Sequence, residues 1–197
     1  MQINNNIYTI RLFDLLAMDG GEQFFKSIAN SFTSKNEDVE LFFREKAIQA
    51  TKLNTAATYL VISFENKKFD LLGYFTLATK MLTLKQSSLS KTECKSISRF
   101  GYFDEDSLSY KLPAVLIAQF SRNFNKKSSS ISGSDLMDIA LDKIKDILHS
   151  TSGKAVFLEC EQSEKIIDFY INHNFQPLGN TVFSKDNKEL TQLYMIL

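Results

Sequence analysis

Two periods of hydrophobic and polar positions run along this chain, and the switches between them mark its elements. Ile7 to Phe13 reads as a first strand. Gly21 to Phe32 carries Phe24, Phe25 and Ile28 at helical spacing, and Asp38 to Lys52 repeats that spacing with Leu41, Phe42, Ala47 and Ile48. Thr58 to Phe64 and Leu71 to Thr79 are β-branched and aromatic, and the polar Glu65 to Lys68 between them suits a hairpin turn. A short helix is expected over Lys91 to Phe100. Leu112 to Phe120, with Pro113 near its start, is apolar almost throughout and reads as a central strand buried on both faces. After a serine-rich loop (Ser128 to Ser134), Ser134 to His149 places Leu136, Ile139, Ala140, Ile144, Ile147 and Leu148 on one helical face. Gly153 turns the chain into another apolar strand, Lys154 to Cys160. Ser163 can cap the helix that follows, whose inner face is Ile166, Ile167, Tyr170 and Ile171. Thr181 to Ser184 and Leu190 to Leu197 read as the last strands.

Helices between central strands imply a parallel pair with a right-handed crossover. The expected fold is therefore mixed α/β: one domain over residues 1–197, with a central mixed β-sheet of about six to seven strands flanked by helices. A length of 197 residues suits a single full core, and no repeat or linker interrupts it. With 44% apolar and 23% charged residues the composition is that of a soluble globular protein. The net charge is zero, so no global field draws in nucleic acid or an anionic membrane. No apolar run reaches membrane-spanning length, and MQINNNIYTIRLF lacks the basic-then-apolar layout of a signal peptide. A cytoplasmic protein without a membrane partner is expected, with Cys94 and Cys160 as free thiols. Charge is uneven in one place. Lys80, Lys85, Lys91, Lys95 and Arg99 face a single acid, Glu93, over Lys80 to Arg99. Most such runs are solvated faces.

The candidate chemistry lies further on. Asn125-Lys126-Lys127-Ser128-Ser129-Ser130-Ile131-Ser132-Gly133 joins a buried strand to a helix. Free N–H groups and the dipole at a helix start attract phosphate. Gly133 permits close backbone approach, the serines supply hydroxyls and the lysines charge. A polar loop with a serine N-cap is the alternative. Two histidines and two isolated cysteines make no metal constellation.

In order, these segments resemble the GNAT superfamily of acyl-CoA-dependent N-acetyltransferases. The resemblance takes in the hairpin TYLVISF…LLGYFTLAT, the strand LPAVLIAQF, the loop-helix SSSISGSDLMDIALDKI, the strand AVFLEC, SEKIIDFYINHNF and the closing LYMIL. The family's phosphate loop, Arg/Gln-x-x-Gly-x-Gly/Ala, falls here on Ser128, Ile131 and Gly133, so only its last position agrees. Its Tyr-x-x-x-Gly-Phe motif matches at Tyr170 and Phe175, with Asn174 in place of glycine. Asparagine tolerates the left-handed conformation that glycine usually supplies. Ser163 stands where the family often has asparagine.

The resemblance implies acetyl-CoA as cosubstrate, lying between the Leu116–Phe120 and Val156–Cys160 strands. It implies contacts from Phe120, Ser121, Arg122, Ser128, Ser129, Ser130, Ile131, Ser132, Gly133, Ser134 and Ser163. Backbone N–H groups of Phe120 to Arg122 would stabilise the oxyanion. Tyr170, a phenol protonated at neutral pH, would return a proton to the departing thiolate. Glu159 and Glu161 are the candidate bases for the amine, and His173 is expected at the surface. The N-terminal pattern, with ELFFREKAIQATKLNTAATYLV, resembles the bacterial toxin-like subgroup, some of which acetylate aminoacyl-tRNA. The acceptor amine is then small, protein-borne or tRNA-borne; Lys80 to Arg99 could meet tRNA phosphates. A homodimer is compatible with the resemblance, and so is a GNAT-shaped binding module without turnover.

Overall fold

The computed structural model describes residues 6–65, 68–125, 131–183 and 187–197. Among them the strands are β1 (Ile7–Arg11), β2 (Ala57–Glu65), β3 (Lys68–Lys85), β4 (Tyr102–Asp104), β5 (Ser109–Arg122), β6 (Ala155–Glu161), β7 (Gln176–Phe183) and β8 (Glu189–Ile196). The helices are α1 (Leu12–Leu16), α2 (Gly21–Ser31), α3 (Glu37–Leu41), α4 (Ala47–Lys52), α5 (Lys91–Ile97), α6 (Gly133–Thr151) and α7 (Glu164–Ile171). The strands form one eight-stranded mixed sheet in the order β1-β2-β3-β5-β6-β8-β7, with β4 beside β5. The mixed α/β expectation holds, and the strand count exceeds it by the short β4. The parallel pair expected around the crossover helix is β5–β6, in register from Ala114↔Ala155 to Ile117↔Leu158. The ladder ends there, while β5 runs on to Arg122 and β6 to Glu161.

The chain divides into two compact units: Met1–Ala78 with Ala118–Asp142, and Thr79–Ile117 with Lys143–Leu197. In the first, the expected strand through Phe13 is cut short. Leu12 and Leu15 are both buried, a three-residue spacing that only a helical turn can deliver, and Phe13 is exposed. The expected helix over Asp38 to Lys52 contains a π turn, Phe42–Lys46, between α3 and α4. The extra residue in that turn rotates the buried face. Phe43, Ala47 and Thr51 are buried, and Leu41, expected inside, is exposed.

Phe43 thereby stacks on Tyr74 of β3 at 4.3 Å and meets Phe25 edge-on at 5.1 Å, and Phe32 meets Tyr74 at 5.2 Å. These rings form the centre of a core with Leu12, Ala29, Leu60 and Leu71. The Tyr74 hydroxyl is satisfied by donating to the Val39 carbonyl at 2.6 Å. Arg44 secures the same layer from outside, donating to Phe32 O at 2.6 Å and pairing with Glu40 at 2.9 Å.

In the second unit the core is Leu82, Leu84, Ile97, Leu112, Ala114, Ala155, Phe157, Leu178 and Tyr194. Leu82 and Leu84 belong to the far end of β3, which runs past the expected limit of Thr79 to Lys85. Helix α5 starts with a capping box. Ser90 Oγ accepts from Glu93 N, and the Glu93 carboxylate accepts from Ser90 N. The strand expected at Thr181 begins at Gln176, five residues earlier.

Gly73 on β3 sets how closely the end of β5 approaches. A Cβ there would lie 2.8 Å from Ser121 O, 3.1 Å from Arg122 Cα and 3.1 Å from Leu136 Cδ2 of α6. Two of these neighbours are backbone and cannot swing aside. Gly73→Ala should therefore destabilise the protein by about 1–3 kcal/mol, read as a lower urea midpoint. An unchanged midpoint would mean that the end of β5 can retreat at no cost.

Candidate active site

The segment after Phe120 is held by a side-chain network within the first unit. The buried Asn123 donates from Nδ2 to Leu71 O at 2.9 Å, and its Oδ1 accepts from Thr33 N at 3.2 Å and Asn125 N at 3.0 Å. Asn123 N bonds Leu72 O at 2.7 Å, and Phe124 N bonds Thr33 O at 2.8 Å. Ser121 is buried with its hydroxyl 2.9 Å from that of Ser34, so it acts in this network. Arg122 donates to the Ile131 carbonyl at 2.9 Å, and its guanidinium lies 4.7 Å from the Phe124 ring centroid. It thus ties the end of β5 to the residues just before α6.

Of the expected phosphate loop, Ser128, Ser129 and Ser130, with Lys126 and Lys127, lie outside the described residues. Ile131 is buried. Ser132 is the residue before α6, and its hydroxyl is engaged with Asp135. It accepts from Asp135 N at 3.0 Å and donates to the Asp135 carboxylate. Ser132 thus caps α6 with its hydroxyl. Asp135 places a negative charge in the first turn, where the helix dipole favours it. An anion bound here would use the N–H groups of Gly133 and Ser134 beside that carboxylate.

In the second unit, Tyr170 is buried on α7, edge-on to Phe169 at 5.2 Å and to Phe175 at 5.9 Å. The turn after the helix explains its placement. Asn174 adopts φ 66°, the left-handed conformation expected of the residue in glycine's place, and Phe175 N returns to Tyr170 O at 3.1 Å. Burial pushes the phenol pKa well up, with the Cys160 thiol adding to the effect. Burial, then Glu161, pushes Cys160 itself to about 11.

Glu159 is exposed and accepts from Gln192 Nε2 at 2.8 Å. Strand alternation places it on the opposite face of β6 from Cys160. Ser163 precedes α7, but its side chain makes no capping bond; its carbonyl takes the N–H groups of Ile166 and Ile167 instead. Ile171, expected on the inner face, is exposed. His173 Nδ1 lies 2.6 Å from Phe169 O. Among the described residues no group of three or more His, Cys, Asp or Glu could hold a metal ion, and no helix is long and apolar enough to cross a membrane.

The sequence reading missed a cleft of about 440 Å³ beside α5, lined in part by Glu93, Ser96, Asn174, Gln176 and Tyr194. The buried Tyr194 phenol is pushed up in pKa by burial first and the nearby Glu93 carboxylate second. Glu93 is held low, mainly by its Ser90 hydrogen bonds. The Ser90-x-x-Glu93 spacing was a visible signal for the capping box. The pairing of Tyr194 with it depends on where β8 falls in the sheet, which no local pattern states.

No protein-family model matches the sequence, and no curated protein sequence does. Solved structures do match over nearly the whole chain. AtaT complexed with acetyl-methionyl-tRNAfMet superposes with a TM-score of 0.66 at 18% identity, over 97% of this chain and 95% of that one. A tyrosine-to-phenylalanine mutant of KacT gives 0.67 at 18%, over 98% and 95%. AtaTR bound with AcCoA gives 0.58 at 15%, over 98% and 94%. This chain has their fold. The mixed α/β architecture expected from the sequence is the one found, and the match covers nearly the whole chain.

The titration directions give a test of the tyrosine region. The folded state keeps the Cys160 proton up to a pKa of about 11 against an ordinary 9.0. Above pH 9 the folded state therefore binds more protons than the unfolded one, and stability falls as pH rises. The urea midpoint should decline between pH 9 and 11, and Cys160→Ala should flatten that decline. A wild-type midpoint that stays constant to pH 11 would show that water reaches the thiol.

Proposed function

We propose that this chain is an acetyl-CoA-dependent N-acetyltransferase whose acceptor amine is carried on an aminoacyl-tRNA. The observation that carries the reading is full-length likeness to AtaT and KacT, together with a buried, protonated Tyr170 at the position the GNAT tyrosine motif assigns to the acid. AtaT is known with acetyl-methionyl-tRNAfMet and AtaTR with AcCoA, and both ligand classes are carried over to this chain as part of the proposal.

Acetyl-CoA would supply a thioester carbonyl. Phosphate would sit on the N–H groups of Gly133 and Ser134, with Arg122 holding the Ile131 carbonyl and so the loop that leads into α6. Backbone N–H groups of Phe120 to Arg122 would stabilise the oxyanion as the amine adds. Tyr170 would give its proton to sulfur as the C–S bond breaks. Glu159, directly or through water, would take the proton the amine nitrogen must lose. Burial keeps Tyr170 protonated, so it stays available as the acid. Asp135 favours a second reading, a GNAT-shaped module that no longer takes the pyrophosphate, because its carboxylate already occupies the start of α6.

A titration with acetyl-CoA separates the two. A ligand that binds only the folded state stabilises it by about 2.7 kcal/mol at a hundredfold excess over Kd, so Tm should rise. No shift at millimolar acetyl-CoA would favour the module. Tyr170→Phe should keep that shift and lower turnover on the order of 10²-fold. A full rate would leave Tyr170 as a packing residue.

The tRNA part of the proposal rests on α5. Lys91 and Lys95 are exposed at a four-residue spacing, and Arg99 follows in the turn beyond. Changing all three to glutamine should weaken tRNA binding and reduce the log–log salt slope by roughly 0.7–0.9 per lost phosphate contact, while acetyl-CoA binding stays. Binding insensitive to salt and to these changes would favour a small or protein-borne amine.

A further inference from the structure

Among the described residues, three buried side-chain polar atoms have no hydrogen-bond partner: Arg11 Nε, Thr51 Oγ1 and Gln119 Oε1. The first two have local explanations. The Arg11 guanidinium lies over the Phe13 ring at 5.3 Å, and a helix hydroxyl such as that of Thr51 can turn toward a carbonyl of the preceding turn. Gln119 has neither. Its amide is planar and has no rotating hydroxyl to redirect, so the oxygen stands as an acceptor without a donor. A buried acceptor without a donor destabilises the fold, so folded proteins retain few of them.

The position of Gln119 gives that atom a use. It stands on β5 two residues past Ile117, the last β5 residue paired with β6, and immediately before Phe120. We propose that Gln119 Oε1 accepts a hydrogen bond from an N–H group of a bound reactant and so positions it for transfer. Two sources carry that chemistry: an amide N–H of the pantetheine arm of acetyl-CoA, or the acceptor amine. This inference rests on the acyltransferase reading above.

Gln119→Leu is the test, because leucine fills similar space and has no acceptor; Gln119→Met serves if the leucine variant does not fold. The ligand-free variant should melt at a higher temperature than the wild type, since the stranded oxygen is gone. It should also lose reactant binding by roughly tenfold, the scale of one hydrogen bond to a desolvated donor. If the donor is on the cosubstrate, calorimetry will show a weaker Kd for acetyl-CoA. If the donor is the acceptor amine, that Kd will hold and KM for methionyl-tRNA will rise. A variant with unchanged Kd and KM overturns the proposal. So does one whose binding falls together with its ligand-free Tm, because a damaged fold then explains the loss. A wild type that binds no acetyl-CoA sinks the acyltransferase reading and this inference with it, whereas a wild type that binds beside an indifferent variant sinks this inference alone.

Discussion

The buried amide of Asn123 fixes where β5 ends. Its side-chain amide bonds to the backbone of three separate stretches: Leu71 on β3, Thr33 after α2, and Asn125 just beyond it. A side chain that satisfies three backbone groups away from water is hard to replace, because an apolar residue would strand all three. The consequences spread outward from it. With Asn123 anchored, Arg122 is aimed back at the Ile131 carbonyl just before α6. Gly73 permits the backbone of Ser121 and Arg122 to come as near as it does. The end of β5 is thus held by bonds to three other stretches of backbone, and a fixed frame is what preorganised N–H donors require.

Much of the fold was legible because periodicity reports burial, and burial decides most elements. The hairpin, the central strand Leu112 to Phe120, the helix after the serine loop and the strand before Cys160 were all found where the apolar pattern placed them. What escaped detection was geometry that one residue can change. A single π turn moved burial from Leu41 to Phe43, and no count of apolar spacings distinguishes a helix with that turn from one without it. Leu12 looks like a strand residue until the next turn of chain is known to need it inside beside Leu15. The reach of β3 to Lys85 was visible in the alternation of Leu82 and Leu84, but the lysines around them drew the segment toward a surface reading.

The site divided the same way. Tyr170, Asn174 and Phe175 follow from a local motif, and the left-handed turn at Asn174 behaves as its chemistry dictates. Ser132 and Ser163 show the limit of residue-type reasoning. Both are serines at helix starts whose carbonyls accept helix N–H groups, yet only Ser132 also caps with its hydroxyl. Gln119 and the Tyr194–Glu93 pair were invisible for a deeper reason. An unpartnered oxygen, or a phenol meeting a helix cap from another strand, is a property of tertiary arrangement and has no signature in spacing.

The balance of charge at the start of α6 is the constraint that separates this chain from the sequence pattern it resembles. A glycine-rich phosphate loop leaves the helix dipole uncompensated until the ligand arrives. Here the capping serine and Asp135 already compensate part of it. A carboxylate in the first turn stabilises the ligand-free helix and repels a second anion, so the same group raises resting stability and weakens phosphate binding. If the chain nevertheless holds a pyrophosphate, its affinity must come from elsewhere in the site, from backbone donors and from neutral contacts along the rest of the ligand. That shifts selectivity away from the phosphates and toward the reacting end, where a neutral acceptor such as the Gln119 amide costs no electrostatic repulsion.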